Sequence, residues 1–201
     1  MQGTSNSCVY PRWGIGLEVG GWANLNAPKY FSPMGYAYMY GYLPGIMRSQ
    51  GIKLTAMYQT KLNKASFGQN IVNVLPRGFG RAASLQSSLT VEAQSMLRLT
   101  VDYAIPIYIG DISLLKNFLY IKRLTVTPHF DYTFINGKYS LEGLWSAGAN
   151  VGFDLESVAW IAWPCSVGVT MSYNGGPSYS TYDEIHNIGR FYAGPTFNVS
   201  F

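Results

Sequence analysis

Two-residue alternation, repeated along the whole chain, is the feature that most narrows what this sequence can fold into. Successive side chains of a β-strand point to opposite faces, so alternation of apolar with small or polar residues marks a strand with two unlike faces. Eight such segments occur. In the first, Trp13, Ile15, Leu17 and Val19 alternate with Gly14, Gly16, Glu18 and Gly20. The second carries Tyr36, Tyr38, Tyr40 and Tyr42. The third sets Ile52, Leu54, Ala56 and Tyr58 against Lys53, Thr55, Met57 and Gln59. The fourth sets Leu97, Leu99, Val101, Tyr103 and Ile105 against Arg98, Thr100, Asp102 and Ala104. The fifth sets Leu124, Val126, Phe130 and Tyr132 against Thr125, Thr127, His129 and Asp131. The sixth runs from Trp145 to Leu155, the seventh from Cys165 to Tyr173, and the eighth from Phe191 to Phe201. The expected strands cover about 9–23, 35–43, 51–62, 93–106, 119–135, 143–156, 163–174 and 190–201, with no helical stretch competing.

Two architectures fit this pattern. A soluble barrel or sandwich buries the apolar face and wets the polar one. A membrane barrel turns the apolar face to lipid and the polar face to its lumen. Composition separates them. Charged residues are 12% of the chain, against about 25% in typical soluble domains, while aromatics are 15% and glycines number 22. A soluble surface needs more charge than that. Strands of about ten residues suit a tilted membrane crossing. Trp13, Trp22, Trp145, Trp160 and Trp163 stand at strand ends, where interfacial rings belong. The sequence therefore predicts one all-β domain over 1–201: an antiparallel, meander-connected transmembrane β-barrel with eight strands, in a bacterial outer membrane.

The connections alternate in length. Those near 24–35, 63–92, 135–142 and 174–189 are longer or richer in Gly, Asn and Ser than those near 43–50, 106–118 and 156–162. Long loops on one side and short turns on the other are the outer-membrane arrangement, with both chain ends on the periplasmic side. Phe197, Val199 and Phe201 close an alternating strand on a terminal ring. Such an ending resembles the signal that outer-membrane barrels present to their assembly machinery. Met1–Ser7 has neither a basic nor an apolar region of a signal peptide, so the sequence reads as a mature form or as a piece of something longer.

The loop after the third strand reads Asn73-Val74-Leu75-Pro76-Arg77-Gly78-Phe79-Gly80. The strand Leu97–Pro106, which carries Asp102, follows it, and then His129-Phe130-Asp131-Tyr132. This order resembles the C-terminal half of the BamA-type assembly-factor barrels, the surface-antigen superfamily. Tyr120-Ile121-Lys122-Arg123-Leu124 and the Leu-Pro-Arg-Gly loop also resemble the barrels attached to TolB-like propellers in Bacteroides-type bacteria. The resemblance implies that Arg77 enters the lumen, that Gly78 permits a tight backbone at the loop tip, and that Phe79 packs beside it. It implies that Asp102 and Asp131 receive Arg77. Counting strand parity independently puts both carboxylates on the polar face, and a guanidinium fits carboxylates bidentately. Such a pair latches a loop rather than doing chemistry. The family strand more often has Glu where Asp102 stands, the periplasmic domains of the family are not expected within these residues, and the family barrel has sixteen strands against the eight expected in this chain. The function implied is insertion or translocation of proteins at the outer membrane, with a second half-barrel, membrane lipid and the assembly machinery as partners. The alternative is a self-contained eight-stranded barrel that anchors or passively permeates the envelope.

Enzyme chemistry finds little footing. His129 lies on the polar face two residues from Asp131, but side chains at i and i+2 of a strand are about 7 Å apart. No serine stands in a nucleophile elbow, and His186 sits in a loop beside Asp183 and Glu184. No phosphate loop, dinucleotide fingerprint or Cys/His zinc spacing occurs, so no cofactor or metal is expected. The basic residues that give a net charge of +4 are scattered, which does not favour nucleic acid. Cys8 and Cys165 allow one disulfide that nothing in their spacing demands, and Cys165, among apolar residues, is expected to be a free thiol.

Overall fold

A computed structural model describes residues 8–26, 32–63, 73–79, 93–107, 112–114, 118–136, 141–158, 165–176 and 190–199. The elements are β1 (Gly14–Trp22), β2 (Met34–Pro44), β3 (Gly51–Lys61), β4 (Ser95–Ile107), β5 (Ile112–Leu114), β6 (Leu119–Asn136), β7 (Leu141–Val158), β8 (Cys165–Gly175) and β9 (Phe191–Val199). They form one antiparallel sheet in the order β1-β2-β3-β4-β6-β7-β8-β9, with β5 paired to β6 off that path. Among the described residues there is no helix. The fold is therefore all-β and antiparallel, with sequential neighbours paired.

The structure differs from the expected barrel in three respects. First, nine strands form rather than eight, because Ile112–Leu114 pairs with Leu119–Ile121 as a small hairpin where a plain turn was expected. Second, the β6–β7 ladder is irregular, with register shifts at Tyr120/Ile121 and Ile121/Arg123 that mark a bulge, while the two strands, 18 residues each, run only slightly past the expected 119–135 and 143–156. Third, the sheet is not closed: among the described residues no ladder joins β1 to β9. The expected Phe201, Trp160, Trp163 and His186, and most of the long loops, lie outside the described residues.

Register turns strand parity into rows across the sheet. Lys53 pairs with Asp102, Asp102 with His129, His129 with Gly148, and Gly148 with Ser172. The next row runs Thr55, Thr100, Asp131, Ser146 and Asn174. On β4 and β6 this inner face is buried and the other face is not. Arg98, Thr100, Asp102, Thr125, Thr127, His129, Asp131 and Thr133 are buried, while Leu99, Val101 and Phe130 are exposed. Apolar-out and polar-in is the reverse of a water-soluble sheet with one packed face.

The tyrosines of β2 fall on the inner face, in register with Gly14, Gly16, Glu18 and Gly20 of β1. Tyr40 lies across Gly16 and Tyr36 lies across Gly20, occupying the space that a Cβ on either glycine would need. Tyr36 donates its hydroxyl to Glu18 Oε1 at 2.8 Å. Ring centroids of Tyr38, Tyr40 and Tyr42 follow one another at 5.7 and 5.6 Å. Rings laid over glycines on the adjoining strand pin a register that the glycines alone would leave loose.

Candidate functional site

The segment 73–79 crosses the inner face and supplies the site. Its tip is a turn in which Phe79 N donates to Pro76 O at 3.2 Å. Gly78 has φ +95°, a backbone conformation that favours glycine, and any Cβ there would meet the Asn174 amide. On one side of the tip, Val74, Leu75 and Phe79 are buried with Ala93, Met96, Ile135 and Leu144, and Met57 packs against them. These apolar side chains seat the loop on the sheet. Thr133 Oγ1 adds a hydrogen bond to Val74 O at 2.6 Å.

On the other side, Arg77 reaches the two carboxylates that parity placed together. Its Nη2 is bonded to Asp102 Oδ1. Its Nε donates to Asp131 Oδ2 at 3.1 Å, and its Nη2 to Asp131 Oδ1 at 3.2 Å. The Arg77 backbone N also donates to Asp131 Oδ2, at 2.8 Å. Burial opposes the Arg77 charge, but the carboxylates of Asp102 and Asp131 outweigh it and hold its pKa above the ordinary guanidinium value. The structure thus brings Arg77, Asp102 and Asp131 into one cluster, with Gly78 and Phe79 at the turn beside it.

Arg98 belongs to the same cluster and was not singled out from sequence. Its Nη2 donates to Asp131 Oδ2 at 3.0 Å and its Nη1 to Asn73 O at 3.2 Å. The available signal was parity, since Arg98 stands on the inner face one row from the Thr100–Asp131 pair. With Arg98 included, two guanidinium groups meet two carboxylates, so the buried charge is balanced. Near the β2–β3 turn, Tyr10 packs on Gly51 and against Tyr42, with ring centroids 5.6 Å apart. Burial, with Asp102 adding to it, pushes the Tyr10 phenol above its ordinary pKa.

His129 does not meet Asp131. Its Nε2 lies 3.1 Å from Ser172 Oγ, across β7 at Gly148, which has no side chain to block the contact. A serine beside an imidazole is the first half of a nucleophile–base pair. Here both side chains are buried, at 1% and 5% exposure. Asp102, on the same row as His129, and Asp131, on the next row, are engaged by the arginines. The pair joins β6 to β8 across the inner face.

Of the C-terminal residues, Phe197 is exposed on the outer face; Val199 is the last residue of β9 and Phe201 lies beyond the described residues. Cys8 and Cys165 are both free. No group of three metal-ligating side chains occurs among the described residues. The chain matches no family model, no curated protein and no solved structure.

Proposed function

We propose that this chain is a wall of a bacterial outer-membrane β-barrel, and that its place is the C-terminal part of an assembly or translocation factor of the BamA-like type. Loop 73–79 is then held inside the lumen by Arg77. The observation that carries the reading is the inverted burial, with charges and threonines inside and large apolar side chains outside. Dimensions support it. On β6 the outer rows from Phe134 to Leu124 span ten residue steps, about 33 Å of strand at ~3.3 Å per residue. At a tilt of about 40° that covers roughly 25 Å, the height of the apolar band of such barrels. Rings gather near the loop end of that band, as Tyr58, Phe130, Phe134, Trp145 and Tyr173, and recur at the turn end as Phe153 and Phe197. An interfacial girdle has this distribution. Membrane lipid, the outer-membrane assembly machinery and a second half-barrel are the partners this reading requires.

The open sheet favours part of a larger barrel over a self-contained one, because an unpaired strand edge in lipid costs several kcal/mol for each orphaned backbone group. The native protein from outer membranes, run unheated and boiled on denaturing gels, separates the two. A heat-modifiable band much larger than this chain and containing its peptides is expected. A heat-modifiable band at the mass of this chain alone means a self-contained barrel, and the assembly-factor reading falls. A protein that stays in solution without detergent and shows no heat-modifiable band ends the membrane reading.

A further inference from the structure

The outer face changes character at the loop end of β3, β4 and β6. One outer row reads Thr60, Ser95 and Asn136; the next row toward the turns reads Tyr58, Leu97 and Phe134. Between the two flanking rings, with Leu97 between them, lies a cleft of about 310 Å³, lined by Tyr58, Leu97, Phe134, Ser95 and Asn136. That volume is at the lower end of small-ligand sites, which are apolar cavities with a few placed polar groups. Here both polar residues sit at one end, on the row where the outer face stops being apolar. Below Leu97 the floor continues through Leu99, with Ala56 beside it. The small Ala56 leaves the groove open in that direction.

We propose that this cleft holds one acyl chain of a membrane lipid, with the ester end of the lipid at Ser95 and Asn136. The site rests on the membrane reading above and adds to it a retained lipid at a defined position. A chain entering from the polar row lies along Leu97 and Leu99 between the rings. Its methylenes meet apolar side chains, and its ester oxygens meet a hydroxyl and an amide. The cleft carries no ionised side chain, so the acyl chain and ester are recognised rather than a headgroup charge. A bulk lipid touches the outer face anywhere; this one lies between the Tyr58 and Phe134 rings and is expected to exchange more slowly.

The test uses protein purified from outer membranes in a mild detergent and washed until free lipid is gone. Bound lipid is counted by native mass and by released fatty acid. The wild type is expected to keep lipid. Leu97→Trp and the milder Leu97→Phe fill the cleft and are expected to lose most of it. Val101→Trp adds the same ring to the outer face outside the cleft and is expected to keep it. Heat-modifiable migration reports folding for every variant. A folded wild type that sheds lipid as fully as Leu97→Trp overturns the proposal while leaving the membrane reading intact. Equal retention in all four proteins overturns it in the same way, as lipid that coats the barrel generally. Protein that needs no detergent and fails to migrate as a folded barrel overturns both.

Discussion

Four donors converge on Asp131: the Arg77 backbone N, its Nε and Nη2, and Arg98 Nη2. Asp102 is bound by Arg77 Nη2, an arginine it shares with Asp131. A buried carboxylate stripped of its partners carries a large desolvation cost, about 3–5 kcal/mol for a broken pair. Arg77→Ala is therefore expected to cost about 3 kcal/mol, read as a lower denaturant midpoint of the folded barrel. Arg77→Lys should recover little, because an ammonium cannot bridge two carboxylates as a planar fork does. In a double-mutant cycle, Arg77→Ala and Asp131→Ala should couple by at least about 1 kcal/mol; additive effects would sink the latch. Strand parity alone put Asp102 and Asp131 on one face, and a guanidinium in the loop that precedes both in sequence completed the set. Arg98 was harder to read. Its value depends on facing Asp131 diagonally across β4 and β6 and on Asn73 O passing within reach, and neither is visible until register and loop path are known.

At the scale of single elements, most of the sheet follows from alternation, because aliphatic residues and threonines sort cleanly between two faces. Tyrosine does not sort, since its ring is apolar and its tip polar. The β2 tyrosines stand on the inner face with Glu18 and Lys53 because β1 offers glycines there, a reason that lies in the neighbouring strand. The bulge between β6 and β7 was also hidden, since nothing in the alternation marks the register shifts around Ile121. The tyrosine–glycine joints make a prediction. Gly16→Val pushes Tyr40 off β1, and Tyr40→Ala removes the ring. Each change should loosen the β1–β2 ladder by about 1 kcal/mol. The two together should cost little more than either alone. Amide hydrogen exchange of β1 measures this directly; unchanged protection in both single variants would mean the rings do not hold the register.

For the whole molecule, exposure locates where the sheet lacks a neighbour. Leu54, Leu99, Val101 and Phe130, in mid-sheet, are 40 to 47% exposed. Ile15, Leu17 and Val19 on β1, with Phe191 and Phe197 on β9, are 62 to 80% exposed. Under the proposed half-barrel reading, both edges meet strands that continue the apolar outer rows. Cysteine pairs offer a check at this scale: one cysteine placed on β1 and one on β9 of the same chain should fail to cross-link in the native barrel if other strands lie between them. Efficient cross-linking within one chain would show direct closure and remove the need for a second half.

The strand path from β1 to β9 has eight members, and an even count sends its two edges in opposite directions. Whatever closes such a wall antiparallel at both seams must itself bring an even number of strands. A lone extra strand would leave one parallel seam, where pairing is slightly less stable per residue. Under the proposed barrel reading, strands gained or lost in hairpin units keep every seam antiparallel, and engineered resizing is expected to be tolerated best in that step.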